Sequence, residues 1–292
     1  MQFPDILVLG ATGRIGRILR CVWKPEISQN HILWHTRKPV TTERHNWVSF
    51  DPLTEPDRLV AAARGRKAIL CLSGVIPGRE SPGTTLDDNI DLALAAVRAG
   101  AQTGARVLLA SSAAVYGNQA GLLSEQASTR PTNAYGRAKL EMEQRATELA
   151  RASGVSCCCL RIGNIAGIDA VLGKWTPKIT LDRFPDGHTP RRSYIGPRSL
   201  ARVLFDLMLV PDLPPVLNIA APGMVEMGNL LDAAGLHWTP RLPQPGTIAQ
   251  VQLDTTSLNR LSPVAADEAS PACLVAQWRS LEPDIENIQD SR

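Results

Sequence analysis

Short apolar runs alternate with amphipathic stretches through the first 165 residues. The runs at 5–9, 31–35, 47–52, 67–72, 106–110 and 155–160 are brief and bounded by turn residues, so they predict strands. Between them, Ile18, Leu19 and Val22 recur at helical spacing, as do Ile90, Leu92, Leu94, Ala95 and Val97 within 84–103. Leu140, Met142, Ala146, Leu149 and Ala150 continue the pattern, with Thr132 or Asn133 as a cap and Gly154 as a stop. Strand and helix in alternation predict an α/β fold: a doubly wound parallel sheet with right-handed crossovers and helices on both faces.

Beyond residue 167 the pattern loosens. Residues 170–192 carry Pro, Gly and Trp without periodicity, 199–210 and 225–234 predict helices, and 216–219 predicts a strand. A proline-rich loop is expected at 240–246, then residues 251–257 lead into a last helical stretch. The polar tail after 282 is expected to fray. The expected division is a larger part at 1–167, rejoined by 193–221, and a smaller part at 168–192 and 222–292.

Composition narrows the class. The chain has 292 residues, of which 44% are hydrophobic and 20% charged, as in a soluble globular enzyme. A net charge of +3 argues for no nucleic-acid or membrane partner. No apolar run nears the ~20 residues of a membrane helix. The N-terminus enters a strand pattern with no basic and apolar leader, so the expected place is the cytoplasm. Cys157, Cys158 and Cys159 are consecutive in a predicted strand and point to alternating faces. They are expected to be small buried hydrophobes in a reducing compartment, and no metal site is expected.

Candidate chemistry begins at Gly10, Gly13 and Gly16, between the first strand and the first helix. Gly10 permits a tight turn, Gly13 lets backbone approach a pyrophosphate, and Gly16 lets helix meet strand. The second strand ends in Thr36, Arg37, Lys38 and Pro39, with no acid to meet a ribose 2′-hydroxyl. With Arg14, these cations favour NADP over NAD. His35 reads as a surface histidine. Asp51 could meet an adenine amino group or cap the helix beginning near Glu55. Ser73 lies at the carboxyl end of a strand, where ligands sit in open sheets. Asn89 could bridge a water or backbone carbonyl, or only start its helix. Ser112, also at a strand end, could donate to a substrate oxygen or serve the turn. Tyr135 and Lys139 stand four apart, on one helical face. A nearby ammonium lowers a phenol's pKa from about 10 and makes it a usable acid or base. Alone, such a pair is weak evidence.

Together the blocks GATGRIG at 10–16, SSAAVYG at 111–117, YGRAK at 135–139, LRIGNIAG at 160–167, RSYI at 192–195 and DTTSL at 254–258 resemble the extended short-chain dehydrogenases/reductases, specifically the NAD(P)-dependent epimerase/dehydratase group. The likeness spans most of the chain, and all three tyrosines, Tyr116, Tyr135 and Tyr194, fall inside these blocks. It implies a Rossmann-type sheet with a small C-terminal substrate-binding subdomain. It implies Ser112, Tyr135 and Lys139 as the catalytic residues, with Tyr135 the acid/base and Lys139 bonding the nicotinamide ribose. The implied cofactor contacts are Gly10, Thr12, Gly13, Arg14, Ile15, Gly16, Arg37, Asp51, Leu72, Ser73, Tyr135 and Lys139. The implied substrate contacts are Ser73, Ser112, Tyr135, Asn164 and Arg192, the last at a nucleotide-sugar diphosphate. By analogy with relatives that pair through the helices bearing Asn89 and Tyr135, a homodimer is expected.

The chain also departs from the group. Ala113 and Ala114 stand where sugar-nucleotide 4,6-dehydratases carry an acidic pair, and alanine moves no protons. Ser199 stands where the group usually has an acid. The stretch between Asn164 and Arg192 is short for a nucleotide-sugar enzyme, which leaves room for a smaller substrate. The expectation is an NADP-linked oxidoreductase or epimerase acting on a hydroxyl or keto carbon of a sugar-like small molecule. The alternatives are a ketone or aldehyde reductase for a smaller substrate, or a non-catalytic NADP-binding regulator. The intact Ser112, Tyr135 and Lys139 speak against the regulator.

Overall fold

The computed structural model describes residues 4–23, 31–39, 46–78, 83–173 and 179–281. In chain order the first half contains β1 (Ile6–Leu9), α1 (Arg14–Val22), β2 (Ile32–Thr36), β3 (Trp47–Ser49), α2 (Pro56–Ala63), β4 (Ala68–Cys71), α3 (Asp88–Thr103), β5 (Arg106–Ser112), β6 (Leu122–Leu123), α4 (Ala134–Ser153) and β7 (Cys157–Ile162). There follow β8 (Asn164–Ile165), β9 (Ile179–Asp182), β10 (Arg191–Arg192), β11 (Tyr194–Ile195), α5 (Pro197–Leu209), β12 (Val216–Ile219), β13 (Val225–Glu226), α6 (Met227–Ala233), β14 (Trp238–Arg241), β15 (Gln250–Leu253), α7 (Thr256–Leu261) and α8 (Pro271–Arg279).

Seven strands form a parallel sheet in the order β12-β7-β5-β4-β1-β2-β3. The register pairs Ile6 with Ile32 on one side and with Ala68 on the other. The chain therefore reverses its direction of winding between β1 and β4, and the carboxyl ends of these two strands bound the crevice where such sheets take ligands. Every residue of β1 and β4 is buried, so these strands read as continuous apolar runs rather than alternating ones.

The chain divides into two compact units. The first comprises 1–112, 133–160 and 207–217; the second comprises 113–132, 161–206 and 218–292. In the first, Leu7, Leu9, Ile69, Val107, Leu109 and Cys159 from the strands pack with Leu59, Ile90, Val97, Met142 and Ala146 from the helices. Cys158 and Cys159 are buried as the apolar reading of that trio expects, Cys157 is only half-buried, and all six thiols are free. In the second unit, Tyr194, Leu230, Leu231 and Leu274 centre a separate core.

The loosely patterned half differs from expectation in detail. The proline-rich stretch begins inside β14, which pairs in parallel with β9 and seats Pro240 opposite Leu181. Proline is tolerated there because β14 is an edge of a two-stranded sheet. The helix expected at 225–234 begins only at Met227, because Val225 and Glu226 pair with β10 as β13. The expected frayed tail lies outside the described residues.

His35 corrects its expectation. It is 1% exposed, donates from Nε2 to Phe50 O at 2.8 Å, and stacks on the Phe50 ring at 4.3 Å. Burial, the largest influence, lowers its pKa below 6.5. The native state therefore holds a neutral imidazole, while the unfolded chain takes up a proton below about 6.5. Stability from this group is present above that pH and is lost as the pH falls. Urea unfolding at pH 7, 6 and 5 should show a declining free energy, with this residue contributing up to about 1.4 kcal/mol per pH unit. His35→Gln should flatten part of that slope.

Candidate functional site

The turn after β1 is built by close approach. Gly10 has φ +81°, and a Cβ there would stand 2.7 Å from Ser73 N. A Cβ on Gly16 would stand 2.5 Å from Ala11 O, so the start of α1 lies directly on the turn. Gly13 is the extended N-cap of α1 and offers no side-chain cap, and no acid occupies the first turn. The helix thus opens with N–H groups that have no partner within the helix itself and with a positive dipole end, an arrangement that suits a pyrophosphate. Thr12 is exposed, whereas Arg14, Ile15, Leu72 and Ser73 are half-buried.

Arg37 and Lys38 are exposed at the end of β2, where Lys38 N donates to Thr36 Oγ1 and Ser49 Oγ donates to Lys38 O. Asp51 does not cap a helix. Its carboxylate accepts from Leu53 N at 2.9 Å, and Glu55, the actual N-cap of α2, returns its own carboxylate to Asp51 N.

Local sequence sets the start of α4. Asn133 caps it by accepting from Gly136 N at 2.8 Å, and Gly154 ends it in the left-handed conformation. Tyr135 falls in the first turn and Lys139 one turn later. The Tyr135 hydroxyl bonds the side chain of Ser112, and Lys139 Nζ lies 6.0 Å from the Tyr135 ring centre. Lys139 is 5% exposed and donates to Ala110 O at 2.8 Å. The first unit therefore brings Ser112, Tyr135 and Lys139 together, with Arg14 close enough for its charge to act on Tyr135.

The electrostatics depart from expectation. Tyr135 is pushed up from 10, because burial outweighs the opposing pull of Ser112 and Arg14. Lys139 is pushed down to about 8 by burial. The expectation that the ammonium governs the phenol is overturned in this state of the protein: the dominant influence on each group is its own desolvation.

Asn89 is 1% exposed and donates from Nδ2 to Val75 O at 3.0 Å and Leu86 O at 2.8 Å. It bridges backbone carbonyls, and the bond to Val75 O goes beyond only starting its helix. Its Oδ1 points at Gly74, where a Cβ would stand 2.5 Å from Oδ1 and 3.4 Å from Lys139 Nζ.

Asn164 and Arg192 belong to the second unit, with two groups that sequence reasoning did not single out as site residues. Tyr194 OH donates to Asp169 Oδ2 at 2.6 Å, and Tyr194 also bonds Asn164. Burial raises the Asp169 carboxyl. The half-buried Arg192 guanidinium donates to Ile248 O at 2.7 Å, Arg191 O at 2.8 Å and Ala249 O at 3.3 Å. A cation held by neutral carbonyls keeps its charge available to an anion. Tyr116 is structural: it is fully buried, its hydroxyl lies 2.8 Å from Asn218 Oδ1, and it accepts from Arg161.

Asn89→Ala removes two backbone ties at the mouth of β4. It is expected to lower the unfolding free energy by about 1–3 kcal/mol, read by urea denaturation at pH 7. A loss below about 0.5 kcal/mol would show that these bonds do not hold the loop.

The sequence matches the family described as NAD dependent epimerase/dehydratase over residues 6–181. No curated protein matches it. Among solved structures it is similar to MoeE5 in complex with UDP-glucuronic acid and NAD, at 21% identity and TM-score 0.74, covering 94% of this chain and 99% of that one. A UDP-glucose-4-epimerase from Stenotrophomonas maltophila, with bound NAD and formylated UDP-arabinopyranose, matches at 21% identity and TM-score 0.76, covering 96% and 99%. DesIV, a dTDP-glucose 4,6-dehydratase from Streptomyces venezuelae with NAD and TYD bound, matches at 18% identity and TM-score 0.72, covering 97% and 99%. At these identities the likeness is one of fold.

Proposed function

The chain belongs to the NAD dependent epimerase/dehydratase family, and from that premise we propose that it is an NADP-linked epimerase or reductase acting at a hydroxyl or keto carbon of a sugar or nucleotide-sugar. The observation that carries this reading is the convergence of Ser112, Tyr135 and Lys139 within the unit that also holds the glycine turn and its Arg14.

The residues fit a dinucleotide. Gly10, Gly13 and the opening of α1 would hold the pyrophosphate, Arg37 and Lys38 a 2′-phosphate, Asp51 the adenine, and Lys139 the nicotinamide ribose. When bound, the nicotinamide supplies hydride transfer. Ser112 would hold the reacting oxygen by a hydrogen bond. Tyr135 would give its proton to a carbonyl oxygen as the carbonyl is reduced, and take one from a hydroxyl as that is oxidised. Burial keeps the phenol protonated at rest, which suits donation, while Ser112 and Arg14 ease the reverse step. Ala113 and Ala114, directly after Ser112, have no group to assist loss of water, which favours epimerase or reductase chemistry over 4,6-dehydration.

Arg192 would meet the diphosphate of a nucleotide-sugar, and Asn164 the sugar. A second reading, a ketone or aldehyde reductase for a smaller substrate, is favoured by the short stretch between these two residues.

Tyr135→Phe tests the acid/base role. Turnover should fall at least about 100-fold while NADPH binding, followed by its fluorescence, stays within a few-fold of the parent. Retained turnover would sink the assignment. Steady consumption of NADPH marks a reductase, and interconversion of UDP-sugars without it marks an epimerase. Arg37→Asp should cut the preference for NADP over NAD by about 10- to 100-fold, the worth of a charge-assisted phosphate contact. A parent that prefers NAD would overturn the cofactor choice.

A further inference from the structure

Within the second unit the chain changes partner at Gly163. Gly163 N donates to Ile219 O at 2.9 Å, and the next residue turns to another strand, where Asn164 N donates to Ser193 O at 2.9 Å. A Cβ on Gly163 would stand 2.6 Å from Ser193 O, so glycine is what lets the backbones come this close. The register of β8 with β11 then sets Asn164 opposite Tyr194, and the two side chains hydrogen-bond. Further along, a tight turn brings Asp169 to the same phenol. Its Oδ1 accepts from Leu172 N at 2.9 Å, Val171 and Gly173 add backbone N–H groups, and its Oδ2 accepts from Tyr194 OH at 2.6 Å.

Counting protons fixes the direction of these bonds. A phenol has one O–H to give, and a carboxylate has none. The Tyr194 proton is committed to Asp169, so the phenol oxygen is left as an acceptor toward Asn164. The carboxamide therefore presents Nδ2 to the phenol and turns Oδ1 away from it. Tyr194 is 1% exposed, too deep to meet a ligand, whereas Asn164 is half-buried. The function proposed above uses Asn164 and gives Tyr194 and Asp169 no part.

We propose that Asp169 is a positioning residue: through Tyr194 it fixes the Asn164 carboxamide with Oδ1 directed away from the phenol, as an acceptor for a hydroxyl or N–H group of the substrate. The inference rests on the reading of Asn164 as a substrate contact, and it adds the chemistry met there, a hydrogen-bond donor such as a sugar hydroxyl. Asp169→Asn reverses the chain of bonds. Its one oxygen stays with the N–H groups of the turn, so the new amide nitrogen faces the phenol and donates to it. The Tyr194 proton then goes to Asn164, whose carboxamide has to flip.

Side-chain amide NMR of protein labelled with 15N-asparagine reads this without any ligand. The Asn164 signals are identified by their loss in Asn164→Ala. One N–H of that pair should exchange with solvent about 10-fold more slowly than the other, the weight of one hydrogen bond. The difference should vanish in Asp169→Asn, which a mere tie between turn and strand would not cause. Retained protection in folded Asp169→Asn overturns the proposal. Where Asp169→Asn does not fold, Tyr194→Phe decides, since an Asn164 amide still protected without the phenol oxygen overturns it equally. Calorimetry with UDP-glucose tests the substrate side. Asp169→Asn should weaken binding about 10-fold, and adding Asn164→Ala should cost little more, because both act on one contact. Unchanged binding in Asp169→Asn, or losses that simply add, overturn the role toward substrate. A parent protein that binds no UDP-glucose would instead defeat the nucleotide-sugar reading, and the amide spectra would still decide how the carboxamide is held.

Discussion

Contact between the end of β5 and one stripe of α4 is the constraint on which the rest of the site depends. The strand supplies a carbonyl and two hydroxyls in sequence; the helix supplies an amine, a phenol and a carboxylate at one-turn intervals. A slip of one residue in the helix would rotate the whole stripe by about 100°, and all three matches would be lost together. The Asn133 cap and the Gly154 stop set where the helix begins and ends. The polar contacts then set which face it turns to the sheet. Around them, Met142, Ala146 and Ala150 fill the same face with apolar bulk that any register of small hydrophobes could supply. The polar contacts supply the specificity, and the apolar ones supply most of the adhesion.

Burial has a second consequence at this contact. It raises the phenol and lowers the amine, so two groups of nearly equal ordinary acidity move apart. Neither movement follows from the pair alone. A solvated Tyr-x-x-x-Lys pair would titrate near its ordinary values, about 10 for each group. The same fold that excludes water from Lys139 makes desolvation the largest influence on it.

The second unit shows how a missing acid is replaced. Ser199 stands near the start of α5, where the family resemblance led to the expectation of a carboxylate. The structure delivers acceptors there from α8 and the turn before it. Gln277 Oε1 accepts from Arg198 N at 3.1 Å and Ser199 N at 3.0 Å, and Ser199 Oγ donates to Glu268. Gly196 leaves the room, since a Cβ there would collide with the Gln277 carboxamide. The opening N–H groups of the helix are satisfied by side chains far along the chain instead of by its own first turn.

The amino-acid sequence by itself determined the alternation of strands and helices, the glycine turn and both ends of α4. These follow from local rules: a period of 3.6 or 2, a capping side chain, a glycine where a turn demands one. It missed the burial of His35 and the Asx-type turn at Asp51. It also missed the strands inside the proline-rich half and the pairings of Ser111 with Glu143 and Tyr194 with Asp169. Apart from the Asp51 turn, which is local, these were decided only by the tertiary structure, because they join residues separated by about 25 or more positions or depend on how much water remains around a group. Periodicity reports which side chains leave solvent; it is silent on which ones they meet, and so on the sign of a buried group's shift in acidity.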